Sequence, residues 1–193
     1  MTTAPIRLYM TMSVDGYIAG PDDRAGQELG RGGGRLFNWL DDRHGTGVNG
    51  QVFGEAMATG AIISGRRTFD LAGGWQGDHH NGVPIHVLTS RPGEQPAAAP
   101  GTVFYSDLTA CVHDARAAAG DRAVMVHGAA AAQSLLRAGL LDELELHLVP
   151  VLLGGGRRLF GDDGRRVELR PVRRLEGRDV THLRYEVVRP ATG

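Results

Sequence analysis

Apolar and polar residues alternate over residues 6–12, a period of two that predicts a first β-strand. Other short apolar runs predict further strands at 61–64, 85–88, 103–105 and 123–126. Helical patterns that stop near glycines lie between these runs, at 48–57, 108–119 and 130–138, and a further helix starts at 65–69. Strands that alternate with helices imply right-handed crossovers and a largely parallel sheet.

The C-terminal part of the chain has a different pattern. Strict alternation predicts a strand near residues 144–148, and two more follow near 167–175 and 181–188, with a turn at 176–179. No helix fits between the last two strands, so we expect them to pair antiparallel. The length of 193 residues suits one domain, residues 1–193. The sequence therefore predicts an α/β fold with a mixed, mainly parallel sheet and an antiparallel C-terminal edge.

A long polar, glycine-rich stretch separates the first strand from the first helix, over residues 15–47. Its one apolar cluster is at residues 36–40. Loops of this length in a compact domain are usually functional or disordered. We interpret this stretch as a lid that excludes water from a binding site.

The amino-acid composition excludes several classes of function. All 21 basic residues are arginine, which excludes a Schiff-base lysine, a pyridoxal-phosphate anchor and a P-loop lysine. A net charge of −1 and a pI of about 6.7 give no electrostatic footprint for nucleic acid. Cys111 is the single cysteine, which suits a reducing cytosol, and no apolar run approaches the ~18 residues of a membrane span. We expect a cytoplasmic protein without nucleic-acid or membrane partners.

No metal site is predicted. The eight histidines are scattered and none has the H-E-x-x-H spacing or a comparable one. His79 and His80 lie in a glycine-rich loop, and we interpret them as solvated rather than as ligands. No G-x-S-x-G elbow marks a nucleophilic serine either.

Three strand ends carry residues suited to phosphate groups. An anion is favoured there by arginine guanidinium groups, hydroxyl groups, small residues and a helix N-terminus. Each also has a simpler explanation: strand–helix packing, a solvated arginine pair at a helix start, or a Ser/Thr turn before proline. The candidate ligands are Gly65, Arg66, Arg67, Thr68, Thr89, Ser90, Arg91, Gly128, Ala129 and Ala130.

Four segments, at residues 12–20, 63–69, 87–90 and 139–156, occur in the order found in the dihydrofolate reductase-like superfamily. Together they span nearly the whole chain. The chain most closely resembles the reductase domain of the bifunctional riboflavin-biosynthesis deaminase-reductase and its stand-alone relatives. This resemblance implies a three-layer α/β/α fold and NADPH as the hydride donor.

The resemblance also assigns roles to residues. Residues 65–68 would contact the adenosine phosphates, and residues 89–91 would surround the 2′-phosphate and adenine. Gly128 and Ala129 would bring the pyrophosphate to a helix N-terminus, although the family usually has two glycines there. Thr11 and Ile18 would flank the nicotinamide.

Asp15 is the candidate catalytic residue. A carboxylate at the mouth of a nicotinamide pocket could orient a substrate or relay a proton. An Asp-Gly pair after a strand is also a turn former, in which the carboxylate bonds the backbone amides of its own loop. The rival candidates for the proton donor are Asp41, Asp42 and His147. The simpler interpretation is that the two aspartates are solvated loop acids and that His147 is a histidine on the sheet surface.

These features together predict an NADPH-dependent reductase that acts on a small heterocycle, pyrimidine- or pteridine-like, or on a carbonyl compound. The alternatives are a nucleotide-binding protein without turnover and a reductase that uses flavin or deazaflavin.

We also expect a homodimer, because one strand region offers more apolar surface than one buried face needs. Helices over both faces are the alternative explanation for this surface, which consists of Leu144, Leu146, Leu148, Val149 and Val151.

Overall fold

The computed structural model describes residues 4–91, 100–161 and 164–189. Its helices are α1 (Val48–Met57), α2 (Arg66–Leu71), α3 (Leu108–Ala119) and α4 (Ala129–Arg137), with two 3₁₀ segments at Gly33–Asp42 and Gly73–Gly77. Its strands are β1 (Ile6–Ser13), β2 (Tyr17–Ala19), β3 (Ala61–Gly65), β4 (Ile85–Leu88), β5 (Thr102–Tyr105), β6 (Val124–His127), β7 (Glu143–Val149), β8 (Arg157–Arg158), β9 (Leu169–Gly177) and β10 (Val180–Val187). Within these ranges, no helix has the length and apolar character needed to cross a membrane.

Eight strands form one sheet in the order β5-β4-β3-β6-β1-β7-β10-β9. The pairings from β5 through β7 are parallel, whereas β10 is antiparallel to both β7 and β9. The predicted mixed sheet with an antiparallel C-terminal edge is therefore confirmed. Because the parallel strands run in one direction, the carboxyl ends of β1, β3, β4, β6 and β7 lie at the same edge of the sheet.

Helices cover both faces of the sheet, which confirms the three-layer fold. Alternate residues of one strand point to opposite faces, and each face has its own apolar cluster. The cluster under α3 and α4 includes Ile6, Leu8, Ile63, Cys111, Ala115, Val126, Ala131 and Leu135. The cluster on the face of α1 and α2 includes Ala56, Ile62, Phe69, Ile85 and Met125.

Local sequence signals set the helix ends. The side chain of Asp107 caps α3 by accepting a hydrogen bond of 2.6 Å from the Ala110 amide. Gly120, with φ +65°, ends the same helix in a conformation that other residues rarely adopt. The predicted bounds of α1 and α3 agree with the structure, because each pattern ends beside a small residue or a glycine.

The predicted lid contains more regular structure than its polar sequence indicates. It includes β2, which pairs with β8, and the 3₁₀ segment Gly33–Asp42. This segment buries Leu36 and Trp39, with 0% and 2% of their surfaces exposed, against Val149 and Val180. Two large apolar side chains are enough to hold the middle of the segment against the sheet.

The hairpin between β9 and β10 is tighter than predicted. Gly177 pairs with Val180, so the turn consists of two residues, Arg178 and Asp179, rather than of residues 176–179. Asp179 adopts φ +64°, a left-handed conformation that aspartate tolerates in turns. The prediction counted the glycine as part of the turn, although it ends the strand.

The apolar residues of β7 are covered within the chain. β7 lies between β1 and β10, and Leu144, Leu146 and Val149 are at most 7% exposed. Leu148 and Val151 are partly buried, so the strand presents only part of the apolar surface that the sequence suggested. The homodimer itself stays a prediction.

A buried charge network attaches the antiparallel edge to the rest of the sheet. The Glu145 side chain of β7 is fully buried and forms ion pairs with Arg184 of β10 and, at 3.1 Å, with Arg173 of β9. Glu55 of α1 contacts the same two guanidinium groups at 2.6 and 3.0 Å. Two carboxylates balance two guanidinium groups, so the network carries no uncompensated charge, which would be costly to bury.

Candidate functional site

The pairing between β1 and β6 ends early. It covers three residues and stops at Leu8 and Val126, whereas β1 continues beside β7 as far as Ser13. Just beyond β6, the Gly128 amide donates a hydrogen bond to Met10 Sδ at 3.3 Å. Open α/β sheets bind ligands in the crevice outside the carboxyl ends of their strands. The early end of the β1–β6 pairing leaves room for such a crevice here.

Two of the predicted phosphate-binding turns meet at this edge. A Cβ atom added at Gly128 would lie 2.3 Å from Thr68 Oγ1, and one at Gly65 would lie 3.5 Å from the Ala131 amide nitrogen. The turn from β3 to α2 and the turn from β6 to α4 are therefore packed against each other. Gly128 has φ +91°, so this close approach requires glycine on steric and conformational grounds.

The N-terminus of α4 is suited to an anion. Gly128 is its N-cap and no side chain caps it, so the first amides of the helix have no partner within the helix. Ala130 is exposed, and small residues allow a phosphate to approach the backbone. Ala129, which stands where the family usually has a second glycine, is 8% exposed and belongs to the apolar cluster under α4. Its methyl group is thus directed into the core.

The arginines of α2 differ in their contacts. Arg66 Nε lies 2.7 and 2.9 Å from the two carboxylate oxygens of Asp70, and its guanidinium carbon lies 5.6 Å from the centre of the Phe104 ring. Its Nη1 atom is buried and has no hydrogen-bond partner. A buried guanidinium donor without an acceptor is costly, and a bound anion would satisfy it.

Arg67 contacts the lid instead. It forms an ion pair of 3.0 Å with Asp23, which Arg157 also contacts at 3.0 Å. Burial raises the pKa of Asp23, but hydrogen bonds from Arg157 and Arg67 outweigh this and lower it. Asp23 thus connects the outer part of the lid to α2 and β8.

The residues after β4 form a turn. Thr89 is buried, and its Oγ1 accepts a hydrogen bond of 3.0 Å from the Arg91 amide. This is the Ser/Thr turn that the sequence allowed as an alternative. Ser90 and Arg91 are exposed beside it, at the edge that also carries Gly65.

Thr11 and Ile18 are both covered. Thr11 is 5% exposed, and its Oγ1 accepts a hydrogen bond of 3.2 Å from Trp39 Nε1 of the lid. Ile18 is 7% exposed and belongs to the apolar cluster of the opposite face.

Asp15 uses both carboxylate oxygens to hold backbone and side-chain donors. Oδ1 accepts hydrogen bonds from the Ser13 hydroxyl at 2.6 Å and from the Leu153 amide at 3.1 Å, and Oδ2 accepts one from the Gly154 amide at 2.7 Å. These bonds, that of Ser13 above all, lower the pKa of Asp15 to about 2. The geometry favours the turn-forming alternative, in which Asp15 joins the end of β1 to the loop after β7.

The other candidate proton donors are hydrogen-bonded to other side chains or exposed to solvent. Asp42 accepts a hydrogen bond of 2.7 Å from Arg178, and Asp41 lies on the surface. His147 is fully buried, with its Nδ1 2.8 Å from Nδ1 of His182, so its interpretation as a sheet-surface histidine is wrong. Burial lowers the pKa of His147 well below its usual value, which keeps the ring neutral.

Sequence reasoning missed a cluster of three histidines. His79 Nε2 lies 3.1 Å from His127 Nε2. His80 is 8% exposed, so the expectation that it is solvated is wrong, and His79 is partly buried. Burial lowers the pKa of His79 to about 2, of His127 to about 3 and of His80 to about 4. No local pattern indicates this cluster, because its members come from distant parts of the chain.

The three-layer sheet, with its mainly parallel strands and antiparallel edge, has the dihydrofolate reductase-like α/β fold. Within it, the profile of the RibD C-terminal domain matches residues 4–183, and the chain belongs to this family. This confirms the resemblance drawn from the four sequence segments. A search of the curated proteins gave no match.

Several solved structures share the fold. A Shewanella sp. PV-4 protein named for riboflavin biosynthesis is 24% identical with a TM-score of 0.71, over 96% of this chain and 99% of that one. RibD of Acinetobacter baumannii is 16% identical with a TM-score of 0.63, over 96% of this chain and 58% of that one. Dihydrofolate reductase of Enterococcus faecalis, complexed with NADP(H), is 16% identical with a TM-score of 0.53, over 95% and 96% of the two chains.

The hydrogen bonds of Asp15 predict a specific acid sensitivity. Because its folded pKa is about 2, below the usual 3.8, it contributes stability that is present above pH 4 and lost as the pH falls towards 2. The difference in unfolding free energy between the wild type and Asp15→Asn should be constant above pH 5 and shrink between pH 4 and 2. Urea unfolding across this range measures it, with exposed Asp41→Asn as the control. A difference that does not change with pH would contradict the assignment.

Proposed function

We propose that the chain is an oxidoreductase that binds NADPH at the carboxyl edge of its parallel strands. The observation that carries this proposal is the uncapped N-terminus of α4, which begins at Gly128 where the pairing of β1 and β6 ends. A dinucleotide needs such a place for its pyrophosphate. The family and the fold support the same class of chemistry.

Each part of this edge would bind a different part of the cofactor. The first amides of α4, at Ala129 and Ala130, would receive the pyrophosphate, and Thr68 borders the same turn. The free Nη1 donor of Arg66 would take a phosphate oxygen. Exposed Ser90 and Arg91 would face the 2′-phosphate. The residues present therefore suit a nicotinamide dinucleotide phosphate.

The protein's contribution to the reaction would be orientation and exclusion of water. When bound, NADPH supplies the hydride, so the chain needs only to align it with a substrate. The lid, with Trp39 over Thr11, covers the end of β1 next to the proposed nicotinamide position. The substrate that we propose is a small heterocycle, pyrimidine- or pteridine-like, or a carbonyl compound.

A steady-state assay tests this function. Purified protein is mixed with NADPH and a panel of pyrimidine, pteridine and carbonyl acceptors, and oxidation of NADPH is followed by absorbance. Turnover with any acceptor supports the reductase, whereas binding without turnover favours a nucleotide-binding protein. A visible chromophore bound to the purified protein would favour a flavin or deazaflavin instead.

The same assay tests the role of Asp15, which stays the candidate for a part in the reaction. A proton relay predicts that Asp15→Asn lowers kcat about 10²-fold while NADPH affinity is unchanged. A positioning role through the amides of Leu153 and Gly154 predicts that kcat is largely retained. In that case Asp15→Ala lowers the melting temperature, because three hydrogen bonds lose their acceptor.

A substitution at Gly128 tests the cofactor position. Gly128→Ala would place a Cβ atom 2.3 Å from Thr68 Oγ1 at a φ of +91°, so the start of α4 must move. We expect NADPH affinity to fall at least tenfold in fluorescence titrations. Gly139→Ala is the matched control, because φ is +67° there but no atom lies within 4 Å. It should lower stability by about 1 kcal/mol and leave the affinity unchanged. Unchanged affinity in folded Gly128→Ala would overturn the assignment.

The cofactor preference provides a further prediction. A 2′-phosphate beside Arg91 would gain a charge-assisted hydrogen bond of about 1.5–3 kcal/mol, so NADPH should bind at least tenfold more tightly than NADH. Arg91→Gln should reduce this ratio, and Arg43→Gln, whose guanidinium bonds the Leu40 carbonyl within the lid, should not. Calorimetric titration of both nucleotides measures the ratio. Equal affinities for the wild type would rule out the 2′-phosphate site.

For the predicted homodimer we propose a different surface from the one that the sequence suggested. β9 forms one edge of the sheet, and among the described strands it pairs with β10 alone. It exposes 53% of Val172 and 38% of Leu169. An edge strand with exposed apolar residues is suited to pairing with a second copy.

A further inference from the structure

The histidine cluster, consisting of His79, His80 and His127, lies beside the proposed cofactor site. His127 is the last residue of β6, and the other two follow the 3₁₀ segment Gly73–Gly77. One ring nitrogen of each residue lies within 4.8 Å of the others. Among the described residues, no other group of three histidine, cysteine or acidic side chains has its ligand atoms this close.

The spacing of the nitrogens suits a metal ion. A tetrahedral zinc ion with Zn–N bonds of about 2.0–2.1 Å separates two ligand nitrogens by about 3.3 Å. The Nε2 atoms of His79 and His127 are 3.1 Å apart, which is close to that value. The ring nitrogen of His80 lies within 4.8 Å of the other two, so it would have to move closer when an ion binds.

The hydrogen bonding of the cluster is incomplete. A single proton can join the facing nitrogens of His79 and His127. Nδ1 of His80 is buried without any partner, and the residue is 8% exposed. A buried polar atom without a partner costs free energy. A cation would satisfy all three rings at once.

The backbone that carries two of these histidines is constrained. Trp75, Gln76, His80 and Asn81 all have positive φ, between 47° and 60°. The Trp75 ring stacks on His79 with a centroid separation of 4.4 Å and an interplanar angle of 8°. Left-handed conformations in non-glycine residues persist where surrounding contacts impose them, and they concentrate at binding sites. Here they direct two imidazoles towards the end of β6.

We propose that His79, His80 and His127 bind one divalent transition-metal ion, of which Zn²⁺ is the expected occupant. Three imidazoles and no carboxylate select zinc and its neighbours over Mg²⁺ and Ca²⁺, which prefer oxygen ligands. A fourth coordination position would remain for water. The ion would tie the segment after α2 to β6, one residue before Gly128. This inference does not depend on the proposed reductase activity.

Titration of untagged, chelator-treated protein with ZnCl₂ in a calorimeter tests the site. We expect one ion per chain with micromolar or tighter affinity, and a rise in melting temperature when Zn²⁺ is added. His79→Gln, His80→Gln and His127→Gln should each weaken binding at least tenfold and abolish the rise. His113→Gln is the matched control, because its side chain is 80% exposed and lies outside the cluster.

Cobalt provides a measurement that does not depend on the variants. CoCl₂ added to the wild-type protein should give the strong visible absorption of four-coordinate Co²⁺, and excess Zn²⁺ should remove it. The weak absorption of six-coordinate Co²⁺ would overturn the proposal. So would the absence of Zn²⁺ binding to the wild type, or equal Zn²⁺ affinity in the wild type and all three variants.

Discussion

The parallel register of β1 between β6 and β7 is the constraint on which the site depends. β1 follows β7 from Arg7 to Ser13 but follows β6 only as far as Leu8. Because β7 alone holds the end of β1, β6 is free to turn at Gly128 and start α4 at the sheet edge. A shift of β1 by one residue would move buried Leu8 to the opposite face, so the hydrophobic pattern also fixes where the pairing ends.

Two of the contacts that attach the lid to this frame differ in strength. Its outer part is held by the ion pairs of Asp23 with Arg67 and Arg157, whose side chains are 47% and 42% exposed. Such partly exposed pairs contribute about 0–1 kcal/mol and weaken with salt. Its inner part is held by Trp39, which is 2% exposed and bonds Thr11. Breaking the ion pairs of Asp23 therefore costs much less than displacing Trp39.

Much of the sheet could be predicted from the sequence, because its signals are local. The alternation in β1 and β7 and the helix bounded by Asp107 and Gly120 need only neighbouring residues. The candidate phosphate-binding turns could be placed at one edge because the carboxyl ends of parallel strands meet there. The contacts of Asp15 could not be decided, since its partners Leu153 and Gly154 are more than a hundred residues away. The histidine cluster could not be predicted, because His79 and His80 meet His127 only when the fold brings their loop to the end of β6.

The two proposed ligands would bind adjacent residues at the end of β6, the metal ion at His127 and the cofactor at Gly128 and the start of α4. Met125 and His127 share the face of α1 and α2, whereas Val126 points to the face of α3 and α4. The imidazole of His127 is therefore directed to one side, and the chain then turns at Gly128 so that α4 packs on the other. A metal held by the ring would limit movement of His127, and with it the position of the Gly128 amide. Cofactor binding and metal binding would then be coupled through the single peptide unit that joins His127 to Gly128.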